Sequence, residues 1–143
     1  MVRKKNVANN KQEVGIMNKG KIKSFTDLTA WQEGHKLVLD IYNITDNFPD
    51  KERFGLTSQM RRCAVSVTLN IAEGFSRRGN KEKIQFYYIS LGSITELQNQ
   101  LLISRDTKLI QKKDFQKIAQ QTTTVQKITN GLIRATKNNL NKS

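Results

Sequence analysis

Apolar residues return every three to four positions through four stretches of this chain, and the segments between those stretches are too short to be anything but turns. Leu28, Trp31, Val38, Ile41, Ile44 and Phe48 recur at helical spacing, with Leu37 and Tyr42 widening the stripe, which predicts a first helix over 27–47. Thr26 or Asp27 supplies an oxygen to cap its start, and Pro49 stops it, lacking a backbone donor and forcing Phe48 to be extended. A second helix begins between Asp50 and Thr57 and runs to Glu73, turning Leu56, Met60, Cys63, Ala64, Val67 and Ile71 inward. Gly74 then fits the left-handed position just beyond a helix end. A third helix over 80–104 carries Ile84, Tyr88, Leu91, Ile94, Leu97 and Leu101, broadened by Phe86, Tyr87 and Ile89. After a turn over 105–110, a fourth helix over 112–139 presents Phe115, Ile118, Val125, Ile128, Leu132 and Leu140 to the core.

Short links between long helices force antiparallel neighbours. With no segment of period two, the fold expected is all-α, an antiparallel up-down-up-down four-helix bundle over 25–143. The whole chain, at 143 residues, suffices for one core. Residues 1–24 hold Arg3, Lys4, Lys5, Lys11, Lys19, Lys21 and Lys23 against one acid, Glu13, and are expected to form a disordered basic arm. Met17 is an alternative start for the chain.

The formal charge of +13 sets up a surface potential that gathers polyanions, so RNA or DNA is the default partner. The competing reading is a protein that is basic only for solubility. Arg77, Arg78, Lys81 and Lys83 crowd the turn between the second and third helices, where arginines can fork onto phosphates and helix N–H groups point at an anion. Lys112, Lys113 and Lys117 form a second cluster at the start of the fourth helix, where cations oppose the helix dipole, and Lys127, Arg134 and Lys137 follow along later turns. A solvated turn and a solvated helix face would account for the same charges.

No residue set supports catalysis. His35 and Cys63, one of each in the chain, have no carboxylate placed by sequence beside both. There is no Glu-x-x-His pair for a di-metal centre, one cysteine cannot build structural zinc, and no phosphate loop or dinucleotide fingerprint is present. The expectation is therefore a protein that is not an enzyme and needs neither cofactor nor metal. No apolar run is long enough to span a membrane or to act as a signal peptide, which points to a cytoplasmic protein. Two structural roles are expected inside the bundle. Glu96 is the only charge from Ile84 to Ser104 and is expected to pair with Arg61, in a segment that also carries Arg62, or with an arginine from another subunit. Asn70 and Ser66, one turn apart, are expected to form a polar seam.

The run Asn70-Ile71-Ala72-Glu73-Gly74-Phe75-Ser76-Arg77-Arg78-Gly79, together with Leu28, Trp31-Gln32, Phe54-Gly55-Leu56-Thr57-Ser58-Gln59, Ala64 to Ser66, and Gly92-Ser93 with Glu96, resembles the bacterial 23S rRNA intervening-sequence proteins. The resemblance spans roughly Phe25 to Leu140. It implies a four-helix bundle assembled as a ring-shaped homopentamer, with an undefined molecular role. A related branch, the accessory variability determinant of diversity-generating retroelements, is basic and works with a reverse transcriptase and nucleic acid, which makes such an enzyme a further possible partner. The chain departs from the pattern at Thr68, where the family often has proline, and in the basic arm. An oligomer also follows from Val65, Leu69, Phe75, Phe86, Tyr87, Ile89 and Leu102, which exceed what one bundle interior needs.

Overall fold

The computed structural model describes residues 22–142, with side chains as far as Asn139; the expected arm up to Lys21 and the side chain of Leu140 lie outside the described residues. Four helices, α1 (Thr29–Thr45), α2 (Leu56–Ser76), α3 (Asn80–Asp106) and α4 (Lys112–Lys142), make the bundle, with short 3-10 turns at Phe25–Asp27 and Asp50–Glu52. No strand occurs among the described residues. Cross-helix contacts fix the antiparallel order. Gly34 of α1 lies against Thr68 of α2 and Val125 of α4, while Ser90 and Ser104 of α3 reach Val67 and Met60 of α2. The α2–α3 turn, the start of α1 and the end of α4 thus share one pole. The α1–α2 and α3–α4 links occupy the other.

The first helix starts differently from the expectation. Neither Thr26 nor Asp27 caps α1, whose N-cap is Leu28 with no side-chain bond; the 3-10 turn ahead of it is capped by Ser24. The Ser24 Oγ accepts from the Thr26 N–H at 3.0 Å, while the Asp27 carboxylate accepts from the N–H groups of Lys23 and Ser24. Those two backbone donors pull the Asp27 carboxyl below its usual range. The local bonds close a 3-10 turn before the α-helix begins, and Ile22 and Phe25 pack on the core beneath it. At the other end α1 stops at Thr45, four residues before Pro49.

Gly74 is buried inside α2 rather than beyond its end, which comes at Ser76 with Arg77 extended at φ −77°. It is needed for close approach. A Cβ at position 74 would stand 2.7 Å from Tyr87 Cε1 and 3.0 Å from Phe86 Cβ. The core of α3 is accordingly built on Tyr87, 1% exposed, and not on Tyr88, which is 48% exposed. Burial raises the Tyr87 phenol to about 12. The inward face of α3 also includes Ser90, Ser93 and Ser104, and that of α4 includes Thr122, Thr129 and Thr136. Small hydroxyls suit most of these positions because they can return a hydrogen bond to backbone, as Ser90 does to the Val67 carbonyl and Thr136 to Leu132, whereas the buried Thr129 Oγ1 has no partner among the described residues.

Candidate nucleic-acid interface

The basic turn divides into cations with structural work and cations open to solvent. Lys83 donates to the Phe75 carbonyl at 2.6 Å and lies over the Phe75 ring, satisfying a carbonyl at the end of α2. Partial burial lowers its pKa. Arg77 stacks on Phe86 at 4.6 Å and reaches Glu73 at 3.3 Å, and its Nε is buried without a partner among the described residues. Glu73 thereby ties the last turn of α2 to its cap. Arg78 and Lys81 are exposed, and no bond or ion pair is seen for either among the described residues. They flank Gly79, which caps α3 without a side-chain hydrogen bond and faces open space, leaving the first N–H groups of α3 pointing outward. Positive dipole end, open backbone donors and two exposed cations together form a surface suited to phosphate oxygens.

Lys112, Lys113 and Lys117 sit at the other pole. The 27 residues of α3 put about 40 Å between the two clusters, so one short anionic segment cannot touch both. The charge at that pole is mixed. Lys117 stands 3.9 Å from Asp40, and a groove of about 420 Å³ there is lined by Asp40, Asp46 and Asp114. Arg134 and Lys137, near the end of α4, instead join the α2–α3 pole, where Lys137 donates to the Tyr88 hydroxyl at 2.9 Å. Their position could have been read from the antiparallel order, which returns the fourth helix to the level of that turn.

The ion pair expected between Arg61 and Glu96 does not form. Arg61 turns toward α1, donating to Asp46 at 2.8 Å and Thr45 Oγ1 at 2.9 Å and lying over Tyr42. One residue is 100° of helix, enough to send adjacent arginines to different neighbours. Arg62 is the one that lines a cleft with Glu96, about 150 Å³ in volume and shared with Gln59, Cys63, Ser66 and Gln100; its own bond is to Gln59 at 3.1 Å. Cys63 approaches Glu96 at 3.7 Å and donates to the Ser93 carbonyl at 3.2 Å. Burial first, then the Glu96 charge, push its thiol up to about 12. Asn70 donates to Ser66, whose Oγ meets Ser93 Oγ at 2.7 Å, so the polar seam runs across α2 and α3. No group of three or more His, Cys, Asp or Glu that could hold a metal, and no helix long and apolar enough to cross a membrane, occurs among the described residues.

A solved protein of unknown function from the S23 ribosomal protein family of Bacteroides thetaiotaomicron VPI-5482 has the same fold, with a TM-score of 0.69 over 73% of this chain and 95% of that one. At 19% identity this likeness speaks to the fold alone. No curated protein matches the sequence. The family described as 23S rRNA-intervening sequence protein matches residues 26–131, which include α1 to α3, most of α4 and the whole of the α2–α3 turn. The chain belongs to the 23S rRNA-intervening sequence protein family.

Proposed function

We propose that this chain is a non-enzymatic scaffold that binds RNA or DNA through phosphate contacts at its α2–α3 pole, as a ring-shaped homo-oligomer. The observation that carries the reading is the pairing of exposed Arg78 and Lys81 with the uncapped, outward-facing start of α3. Binding of this kind reads little sequence and weakens steeply with salt, because each neutralised phosphate releases counterions. The ring is supported by exposed Val65 and Leu69 on α2 and exposed Ile89 and Leu102 on α3, side chains whose burial between copies is favourable. The family resemblance favours five copies.

A second reading is an accessory subunit that docks a protein partner, such as a reverse transcriptase already holding nucleic acid. Phe54 favours it. That side chain is 90% exposed beside an open groove lined by Tyr42, Arg53, Arg61, Arg62 and Val65, a basic-rimmed apolar surface. Titrating the full chain with RNA and DNA, single-stranded and duplex, across a salt series separates the two. Affinity that falls steeply with salt and weakens in Arg78→Gln/Lys81→Gln supports the phosphate scaffold. No binding at low salt rejects it in favour of the docking subunit. Light scattering on the same samples gives the copy number, and a monomer at working concentration would remove the ring.

A further inference from the structure

An aromatic row at the start of α1 has no part in the phosphate contacts. Phe25 meets Trp31 edge to face, with centroids 5.4 Å apart, and Trp31 stacks on His35 at 4.6 Å and an interplanar angle of 14°. Positions 31 and 35 are one helical turn apart, so the backbone itself sets the two rings one above the other. Trp31 is half-buried and packed on the core, whereas His35 is exposed. The row is also held from below. Gln32 donates to the Thr26 carbonyl at 2.9 Å, fixing the 3-10 turn that carries Phe25 to the helix that carries Trp31. Neighbouring Lys36 is engaged with Glu33 at 3.1 Å, so the imidazole stands on a locally balanced surface. A flat, solvent-exposed ring backed by a rigid indole offers a stacking surface at little cost in ordering.

The row lies on the part of α1 nearest the α2–α3 pole. Gly34 is level with Thr68, so along the bundle axis His35 is some eleven residues of helix, about 16 Å, from Arg78, the exposed cation just past the end of α2. A few nucleotides of extended strand cover that distance. Bases in a duplex are stacked on one another and present no free face, whereas unpaired bases do.

We propose that His35, backed by Trp31, is a base-stacking platform that makes this chain prefer single-stranded over duplex nucleic acid. The proposal rests on the phosphate-binding reading, which supplies the sequence-independent part of the affinity. The test uses the full chain with a fluorescently labelled oligothymidylate of about 20 nucleotides and a duplex of equal length, followed by anisotropy. His35→Ala is expected to weaken the single strand about tenfold and leave the duplex unchanged, because stacking is lost and phosphate contacts are not. His35→Phe keeps a flat ring and is expected to restore most of the loss. Because Trp31 is the only tryptophan, its emission should shift on adding the single strand and not on adding the duplex. If His35→Ala binds the single strand as the unaltered chain does, the platform is refuted while the phosphate reading stands. If neither probe binds the unaltered chain at low salt, both fall together.

Discussion

Replacing Gly74 with alanine pits two known effects against each other at one buried position. Alanine is favoured over glycine inside a helix by about 1 kcal/mol. Against this, the new Cβ would lie 2.7 Å from Tyr87 Cε1 and 3.0 Å from Phe86 Cβ. Tyr87 is 1% exposed and cannot swing into solvent, so the clash must be met by parting α2 from α3. Overpacking of a filled core costs about 1–3 kcal/mol, and with the ring trapped we take the upper half of that range. The net expectation is a loss of about 1–2 kcal/mol, a fall of several degrees in Tm for a chain of this size. Gly92 is the internal control. It sits exposed in mid-α3 with nothing near its Cβ, so Gly92→Ala should gain most of the 1 kcal/mol propensity term. Urea unfolding by circular dichroism at one fixed protein concentration compares the two, and their difference isolates the steric cost. Equal stabilities for the two variants would mean that Gly74 is not what lets α2 and α3 approach.

Three further outcomes follow from side-chain contacts and burial. A double-mutant cycle on Arg61 and Asp46 should give a coupling of about 0.5–1 kcal/mol, modest because Asp46 is exposed, whereas the Arg61 and Glu96 cycle should give none; a coupling to Glu96 larger than that to Asp46 would overturn the assignment. The Cys63 thiol and the Tyr87 phenol, each raised to about 12 from ordinary values of 9.0 and 10.0, stay protonated in the folded chain after the unfolded chain has released those protons. Their contribution to stability is complete below pH 9 and is lost as pH climbs from 9 toward 12. Unfolding free energies measured across that range should fall, and less steeply in Cys63→Ala; a flat profile would contradict the burial of both groups. The folded thiol should likewise react with a disulfide reagent at pH 8 far more slowly than the unfolded one.

The number, order and approximate ends of the helices were legible because the apolar period is strong and the connecting segments are short. What the sequence obscured was helical phase. Tyr87 and Tyr88 are adjacent and equally apolar, so both fit a broad stripe; only the contact with Gly74 decides that Tyr87 is inside. Arg61 and Arg62 pose the same problem, with one facing α1 and the other the cleft beside Glu96. Gly74 looked like a helix stop because glycine often ends helices, yet here it serves interhelical contact. The serines and threonines buried in α3 and α4 carry no hydrophobic signal and were invisible to a reading based on apolar residues alone. At the candidate interface, sequence identified which segments are basic. It did not separate Lys83 and Arg77, which are engaged with aromatic rings and a carbonyl or carboxylate, from exposed Arg78 and Lys81.

Helix polarity offers a way to tell a functional cation from a structural one. Lys83 and Arg77 reach the end of α2, where partial negative charge welcomes them. Lys81 lies in the first turn of α3, where a cation is unfavourable and Glu82 is the only acid to offset it. A residue chosen for folding alone would be acidic there. Lys81→Glu should therefore stabilise the protein by about 0.3–1 kcal/mol while weakening nucleic-acid binding and flattening its salt dependence, since one phosphate contact becomes a repulsion. Unfolding titrations and anisotropy on the same preparation measure both quantities. If stability rises and binding to either strand form is unchanged at low salt, Lys81 is only a solvated charge. If binding falls and stability rises together, the chain is carrying a small cost in stability at a position where phosphate binding is the compensating gain.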